Sequence, residues 1–460
     1  MNPSDIRSRM ADVLKQFSHK TDYMDIRAEQ LQRLGMNYSN DELERLEQSE
    51  DDGFSIRVCI RGGWGFVSLN SPEKLTEYAQ LAVEQAQSLA RDKTMLAAVT
   101  PVIDHVRISP KTDPRNIPLK DKMDILKNCS DVGRSVSSDI STVTAGYFET
   151  FRTVCFMTSE GTDLVMEKMD LGAGVSVQAC KNGVSQTQIV STGSSNDFGV
   201  VQQMQTDVTP AAQRVVQLLK AKRVKAGRYT VVADPALGST FVHEAFGHTS
   251  EADEYYKNPE MKKIFTPGRR FASDIVSIYD SGLDEGSRGY IRYDDEGVPT
   301  EKTWLIKDGI LTGRLHTRET AAWFGEKPTG NARCMNYRHA PICRMRNTCI
   351  AQGKESFDNM ISDIDLGIYA VDAPGGTGGE MFSFDAAYGY MIRNGKLAEM
   401  VRDVQLSGNL FRTLDNIEAV GNDFKLCDDA GGCGKGAQFP LETSASSPHI
   451  RIRDVTIGGV

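Results

Sequence analysis

Apolar residues recur on a helical period near the start of the chain, where Ile6, Met10, Val13, Leu14 and Phe17 share one face and predict a helix over residues 3 to 17. A strand is expected from Tyr23 to Gln30. The stretch GFSIRVCIRGGWGFVSLN, residues 53 to 70, reads as two β-rich runs joined by a hairpin turn at Gly62-Gly63. Ser71-Pro72-Glu73 has the signature of a helix start, with a capping serine, proline in the first turn and an acid beside it. That helix is expected to reach about Arg91 and to bury Leu75, Ala79, Leu81, Ala82, Ala86 and Leu89. A loop through residues 101 to 118 leads to a helix over 119 to 136. Residues 138 to 206 read as β-rich, with turns at Ser159-Glu160-Gly161 and Lys181-Asn182-Gly183. A further helix is expected from Pro210 to Lys220.

The basic run KAKRVKAGR, residues 220 to 228, reads as a solvated helix end favouring the negative pole of the helix dipole, and it marks a boundary between residues 1–225 and 226–460. Beyond it, Tyr229 to Ala233 predicts a strand that feeds through Asp234 and Pro235 into a helix. The remainder is largely β, with hairpin turns at Asp308-Gly309 and Asn394-Gly395. The fold class expected is α+β: an N-terminal α/β domain with helices on one sheet face, then a β-rich C-terminal domain. Glycines cluster at 375–376 and 378–379 and again at 431, 432 and 434. No Gly-Lys-Ser/Thr follows the first cluster, so it reads as a loop or bulge rather than a phosphate cradle.

Composition narrows the function. The 460 residues are 40% hydrophobic and 25% charged, ordinary values for a globular chain. A net charge of −9 argues against nucleic acid as a partner, since a phosphate-binding surface needs a basic patch. The N-terminus lacks the apolar core of a signal peptide and no apolar stretch is long enough to span a membrane, so a cytoplasmic location is expected. Nine cysteines without a C-x-x-C pair read as mostly reduced core residues.

The densest chemistry lies in FVHEAFGHTSEAD, residues 241 to 253, which holds two of the seven histidines of the chain. His243 and His248 are five apart with Glu244 beside the first, one residue longer than the H-E-x-x-H spacing of zinc peptidases. On a regular helix five positions turn the two imidazoles roughly 140° apart, too far to share an ion. A π-type i→i+5 turn, or unwinding at Gly247, would bring them together. A third ligand is offered by Cys427 or Cys433, and the glycines around Cys433 favour it. Glu251 and Asp253 are acidic alternatives, or partners that orient imidazole N–H groups. A His2Cys set suits zinc and leaves one position for water. Asn331, Arg333, Tyr337 and His339 form a polar stretch that could supply an oxyanion donor, although holding loops is the simpler role for each. No G-x-S-x-G elbow points to a serine hydrolase.

Spaced motifs along almost the whole chain resemble the TldD/PmbA family of metallopeptidases, historically labelled modulators of DNA gyrase. They are RAE at 27–29, GGWGF at 62–66, HEAFGHTSEAD at 243–253, RGY at 288–290, DDEGVPT at 294–300, PTGNAR at 328–333, CGKGAQ at 433–438 and VTIGG at 455–459. The resemblance implies that His243, His248 and Cys433 bind one zinc per chain and that Glu244 is the catalytic carboxylate. It implies hydrolysis of short or unfolded peptides by metal-activated water, with Glu244 as general base. It further implies a homodimer, or a heterodimer with a TldE/PmbA-like paralogue. The alternative is a non-catalytic or structural-metal partner subunit of such a complex. The intact H-E-x-x-x-H resembles the catalytic branch. One departure is the segment Pro440 to Pro448, where a glycine-containing P-V-x-x-G-x-P is expected; it bears on substrate preference and not on the ligands.

Overall fold

The computed structural model describes residues 3–91, 93–256 and 258–458. Gly459, in the closing VTIGG, lies outside them. Helix α1 (Pro3–Phe17) matches its apolar period, and after it come strands β1 (Tyr23–Ser39), β2 (Glu42–Ile60) and β3 (Gly63–Leu69). The turn between β2 and β3 is Arg61-Gly62, one residue earlier than expected, with φ of 45° and 75°. Two successive positive φ values match the right-handed strand twist of a tight hairpin. Gly63 is instead a packing glycine, because a Cβ there would lie 2.4 Å from the Ala86 carbonyl oxygen.

Helix α2 (Leu75–Ser88) starts later and stops earlier than the sequence pattern suggests, after a short 3-10 turn at Pro72–Lys74. It buries Leu75, Ala79, Ala82, Val83 and Ala86, whereas Leu81 and Leu89 are exposed. The buried five follow one stripe and the two leucines lie off it. The segment read as a loop contains a strand, β4 (Ile103–Val106), whose Ile103 is exposed. Four residues at a sheet edge carry little periodic signal. Helix α3 (Leu119–Ser135) precedes three long strands, β5 (Ile140–Thr158), β6 (Asp163–Lys181) and β7 (Val184–Ser194). Helix α4 (Gly199–Leu218) then begins eleven residues before Pro210, which sits inside it. The β-rich reading therefore ends too late, because proline signals a helix start by residue type and here lies within a helix.

Within the described residues β1 to β7 form one seven-stranded sheet, ordered β3-β2-β1-β5-β6-β4 with β7 also on β6. Alternation along β1 assigns its two faces. Met24, Ile26 and Ala28 join the core beneath α1 and α2, and Met36 and Tyr38 join the core beneath α3 and α4, so the helices share one face. The intervening Asp25, Arg27 and Glu29 are also buried, on the opposite face, and there they meet the C-terminal part of the chain. Arg27 pairs with Asp295, Arg57 with Asp25 and Glu296, and Arg288 with Asp170 at 2.7 Å. The RAE, DDEG and RGY motifs, distant in sequence, are thus one buried ion-pair layer joining the seven-stranded sheet to the C-terminal half.

The rest of the described residues are built on a ten-stranded and a six-stranded sheet, with two small two-stranded ones. The turns Asp308-Gly309 and Asn394-Gly395 both have paired positive φ, as their residues demand. Strand Gly227–Ala233 lies inside the ten-stranded sheet between Ile450–Gly458 and Leu366–Val371. The basic run is not a simple helix end, since Lys222–Arg223 pairs in parallel with Lys396–Arg402. No helix among the described residues is long and apolar enough to cross a membrane.

Candidate metal centre

Strand Gly227–Ala233 delivers the chain to Asp234, whose carboxylate caps helix α5 (Pro235–Phe241) by accepting from the Leu237 amide at 2.9 Å. The same oxygen accepts from the Asp372 amide at 2.9 Å, tying the helix start to the end of the neighbouring strand. Leu237, Phe241, Val242, Ala245 and Phe246 enter the largest core cluster together with Val231, Ile350, Ile368, Phe382 and Phe384. Apolar burial on strands from both large sheets holds the helix in place.

The helix then widens. Val242–Gly247 is π-helical, and the amide of His248 donates to the carbonyl of His243, an i→i+5 bond closed by the two histidines themselves. Their rings come edge to face with centroids 5.4 Å apart. Gly247 keeps ordinary helical angles, with φ of −56°, so it is not the site of an unwinding. Its hydrogen matters for contact: a Cβ there would stand 2.0 Å from Sδ of Met345, which is fully buried. Gly247→Ala is expected to lower stability by about 1–3 kcal/mol in denaturant unfolding, overpacking outweighing the gain in helix propensity.

Strand Cys433–Lys435 approaches from the other end of the chain, paired with Gln438–Leu441. The sharp turn lies after the cysteine, at Gly436-Ala437, both with positive φ, rather than in the glycines before it. Cys433 Sγ is 3.3 Å from His248 Nε2, and one donor atom from each of His243, His248 and Cys433 lies within 4.8 Å of the others. Cys427 is elsewhere, its sulfur 3.9 Å from the Lys425 carbonyl oxygen, and burial pushes its thiol up to about 11. Glu244 is about one-third exposed, with Oε2 4.0 Å from His248 Nε2.

The electrostatics suit a cation. Burial opposes ionisation of Cys433, yet hydrogen bonds and charge from the two imidazoles bring its thiol down to about 5. Burial likewise disfavours His248⁺, but the Cys433 and Glu251 hydrogen bonds raise it to about 10. A thiol held down by two imidazoles that it raises in turn, against burial, is the pattern expected where protons take the place of a metal ion. A tetrahedral ion with bonds of roughly 2.0–2.3 Å would set its donors about 3.5 Å apart, and the Cys433–His248 pair stands at 3.3 Å.

Glu251 and Asp253, the acidic alternatives, are placed differently. Glu251 is fully buried and accepts from His248 Nδ1 at 3.3 Å, which fixes the ring with Nε2 toward the sulfur. Asp253 touches neither histidine; it accepts from the Cys343 amide at 3.2 Å and from Lys435 Nζ at 2.6 Å. Lys435, absent from the residues singled out by sequence, also lies 2.9 Å from Glu251 Oε2. Burial works against the Glu251 anion, and the His248 hydrogen bond and Lys435 charge hold its carboxyl below the ordinary range. The signal was available: two positions on from Cys433 in a strand, Lys435 leaves the same face. Lys435→Met is expected to weaken metal binding about 10–100-fold in chelator competition, by freeing Glu251 and with it the His248 ring.

Of the polar stretch, Asn331, Arg333 and Tyr337 are committed to the frame, and His339 is half-buried. Asn331 donates to Asp280 and to the Arg344 carbonyl at 2.9 Å, Arg333 to the Met345 carbonyl at 2.6 Å, and Tyr337 to Asp51 at 3.0 Å. The departing segment 440–448 carries Glu442, a half-buried partner of Arg152 and Arg333.

A largely buried set of two histidines and a cysteine with the Glu244 carboxylate beside it has the donor types of a mononuclear metallohydrolase. Comparison with known proteins agrees. The chain matches PmbA/TldA metallopeptidase domain 1 over residues 24–86, the central domain over 112–224 and the C-terminal domain over 226–459. It is 43% identical to a metalloprotease of Synechocystis sp., covering 100% of this chain and 99% of that one. It is 28% identical to the zinc metalloprotease TldD homolog of Saccharolobus solfataricus, over 89% of this chain and 90% of that one. TldE from Thermococcus kodakarensis shares the fold, with a TM-score of 0.77 at 19% identity over 98% of this chain and 100% of that one. The chain belongs to the TldD/PmbA family and is a metallopeptidase.

Proposed function

We propose that the chain is a zinc-dependent peptidase acting on short or unfolded peptides in the cytoplasm, with His243, His248 and Cys433 as ligands and Glu244 as general base. The observation that carries this reading is the convergence of the three donor atoms within 4.8 Å, beside a partly exposed Glu244. Zinc held by these residues supplies a Lewis acid that polarises a carbonyl and acidifies water.

The chain's own groups have distinct tasks. Glu244 accepts a proton from the attacking water and returns it to the leaving amine. Glu251, fixed by Lys435, keeps His248 in one tautomer and orientation. The exposed edge strand Gly375–Thr377 offers main-chain groups for a peptide to add as a further strand, which gives affinity with little sequence preference. It lies over the catalytic helix, since a Cβ on Gly378 would stand 2.0 Å from the Glu244 carbonyl oxygen. A boundary near residue 225 and a homodimer, or a heterodimer with a TldE/PmbA-like paralogue, complete the proposal.

Elemental analysis and cleavage of an unstructured peptide test it together. About one zinc per chain with cleavage is the expected result. Metal-loaded chain that cleaves no peptide, alone or with a TldE-like partner, would sink the proposal.

A further inference from the structure

On the face of the seven-stranded sheet that carries the ion pairs, Arg152 of β5 stands directly opposite Lys168 of β6. Like charges paired across strands destabilise a sheet unless something lies between them. Both line a cavity that Arg288, Arg333, Asp170 and Glu442 also line, with about 30 Å³ of space for the centres of water-sized groups, room for a carboxylate.

The pairing there is uneven. Arg288 is matched by Asp170 through two bonds of 2.7 and 2.8 Å. Arg27 is matched by Asp295 and shares Glu29 with Arg152. Glu442 is left to serve both Arg152 and Arg333, at 3.5 and 3.6 Å, beyond hydrogen-bonding reach for their N–H groups. Arg152 Nε, in a side chain only 7% exposed, stands 3.2 Å from Glu29 Oε1 without the alignment of a hydrogen bond. No ion pair or hydrogen bond to Lys168 is found among the described residues. Among the described residues Lys168 thus has no carboxylate partner, and Arg333 meets Glu442 only at 3.6 Å. Burying a charge without a partner is costly, and a monoanion between Lys168 and Arg152 gives the lysine one.

We propose that this cavity is a binding site for a small oxyanion, held by Lys168 with Arg152 and Arg333 and separate from the His243, His248 and Cys433 cluster. Lys168 is half-buried, so the cavity reaches solvent at the lysine. The ligand chemistry is that of a carboxylate-sized monoanion, either a peptide's terminal carboxylate or a free ion.

The test is thermal unfolding of the full chain at constant ionic strength, with chloride as the balancing ion. The probes are acetate, inorganic phosphate, a capped dipeptide acid and its amide. Wild type is expected to show a saturable rise in Tm with one or more anions and none with the amide. Lys168→Met is expected to weaken that response on the order of tenfold or more, and Lys168→Arg to retain it. Without ligand, Lys168→Met is expected to be at least as stable as wild type, because it relieves the cation pair. A response to the dipeptide acid alone supports the site and assigns it to a peptide terminus; a response to acetate or phosphate supports the site and assigns it to free anions. No saturable response in wild type, an equal response in Lys168→Met, or a ligand-free Lys168→Met less stable than wild type would overturn the proposal.

Discussion

Glu244→Gln is expected to keep its metal and to lose peptidase activity by roughly 10² to 10⁴ in kcat. The amide occupies the same volume at a partly exposed position, so stability should change little. The carboxylate's Oε2 lies 4.0 Å from His248 Nε2, and Glu244 is not among the three groups that converge. The amide cannot accept the proton that the carboxylate takes. Metal content by elemental analysis and kcat on an unstructured peptide check this together. Loss of metal in Glu244→Gln would show the carboxylate to be a ligand, and unchanged kcat would remove it from the proton transfer.

Cys433→Ala is expected to lose metal and activity together. The thiolate is the sole anion among the three donors, and without it two neutral imidazoles remain to hold a dication. The loss should be read directly as zinc per chain after dialysis, beside cleavage of the same peptide. Cys427→Ala is the control. Its sulfur stands with the Lys425 carbonyl, away from both histidines, so metal and activity should both persist. Metal retained in Cys433→Ala at wild-type affinity would transfer the third position to another group.

Much of the fold was legible in the chain. The first helix, the tight turns with asparagine or aspartate before glycine, and the alternation of β1 depend on neighbouring residues only, and their φ values and faces follow from the residue types. Two elements escape a local reading. Pro210 has the residue type of a helix start and lies within α4, and the short edge strand β4 has an exposed isoleucine instead of a buried stripe. Leu81 and Leu89 show that an apolar residue near a helical stripe need not be in it.

The same division runs through the candidate site. The sequence by itself determined the donor types, the five-residue spacing of His243 and His248 and the carboxylate between them. It also required that any shared ion distort the helix, because angular position along a helix follows from residue count. Only the tertiary structure decided that the distortion is a π turn rather than an unwinding, with Gly247 at ordinary helical angles and packed against Met345. It alone brought Cys433 to His248 across 185 residues, placed Lys435 against Glu251, and set RAE against DDEG in one buried layer. Those pairings are made by packing between sheets. Periodicity carries the direction a side chain leaves its own backbone and nothing about which distant strand it will meet.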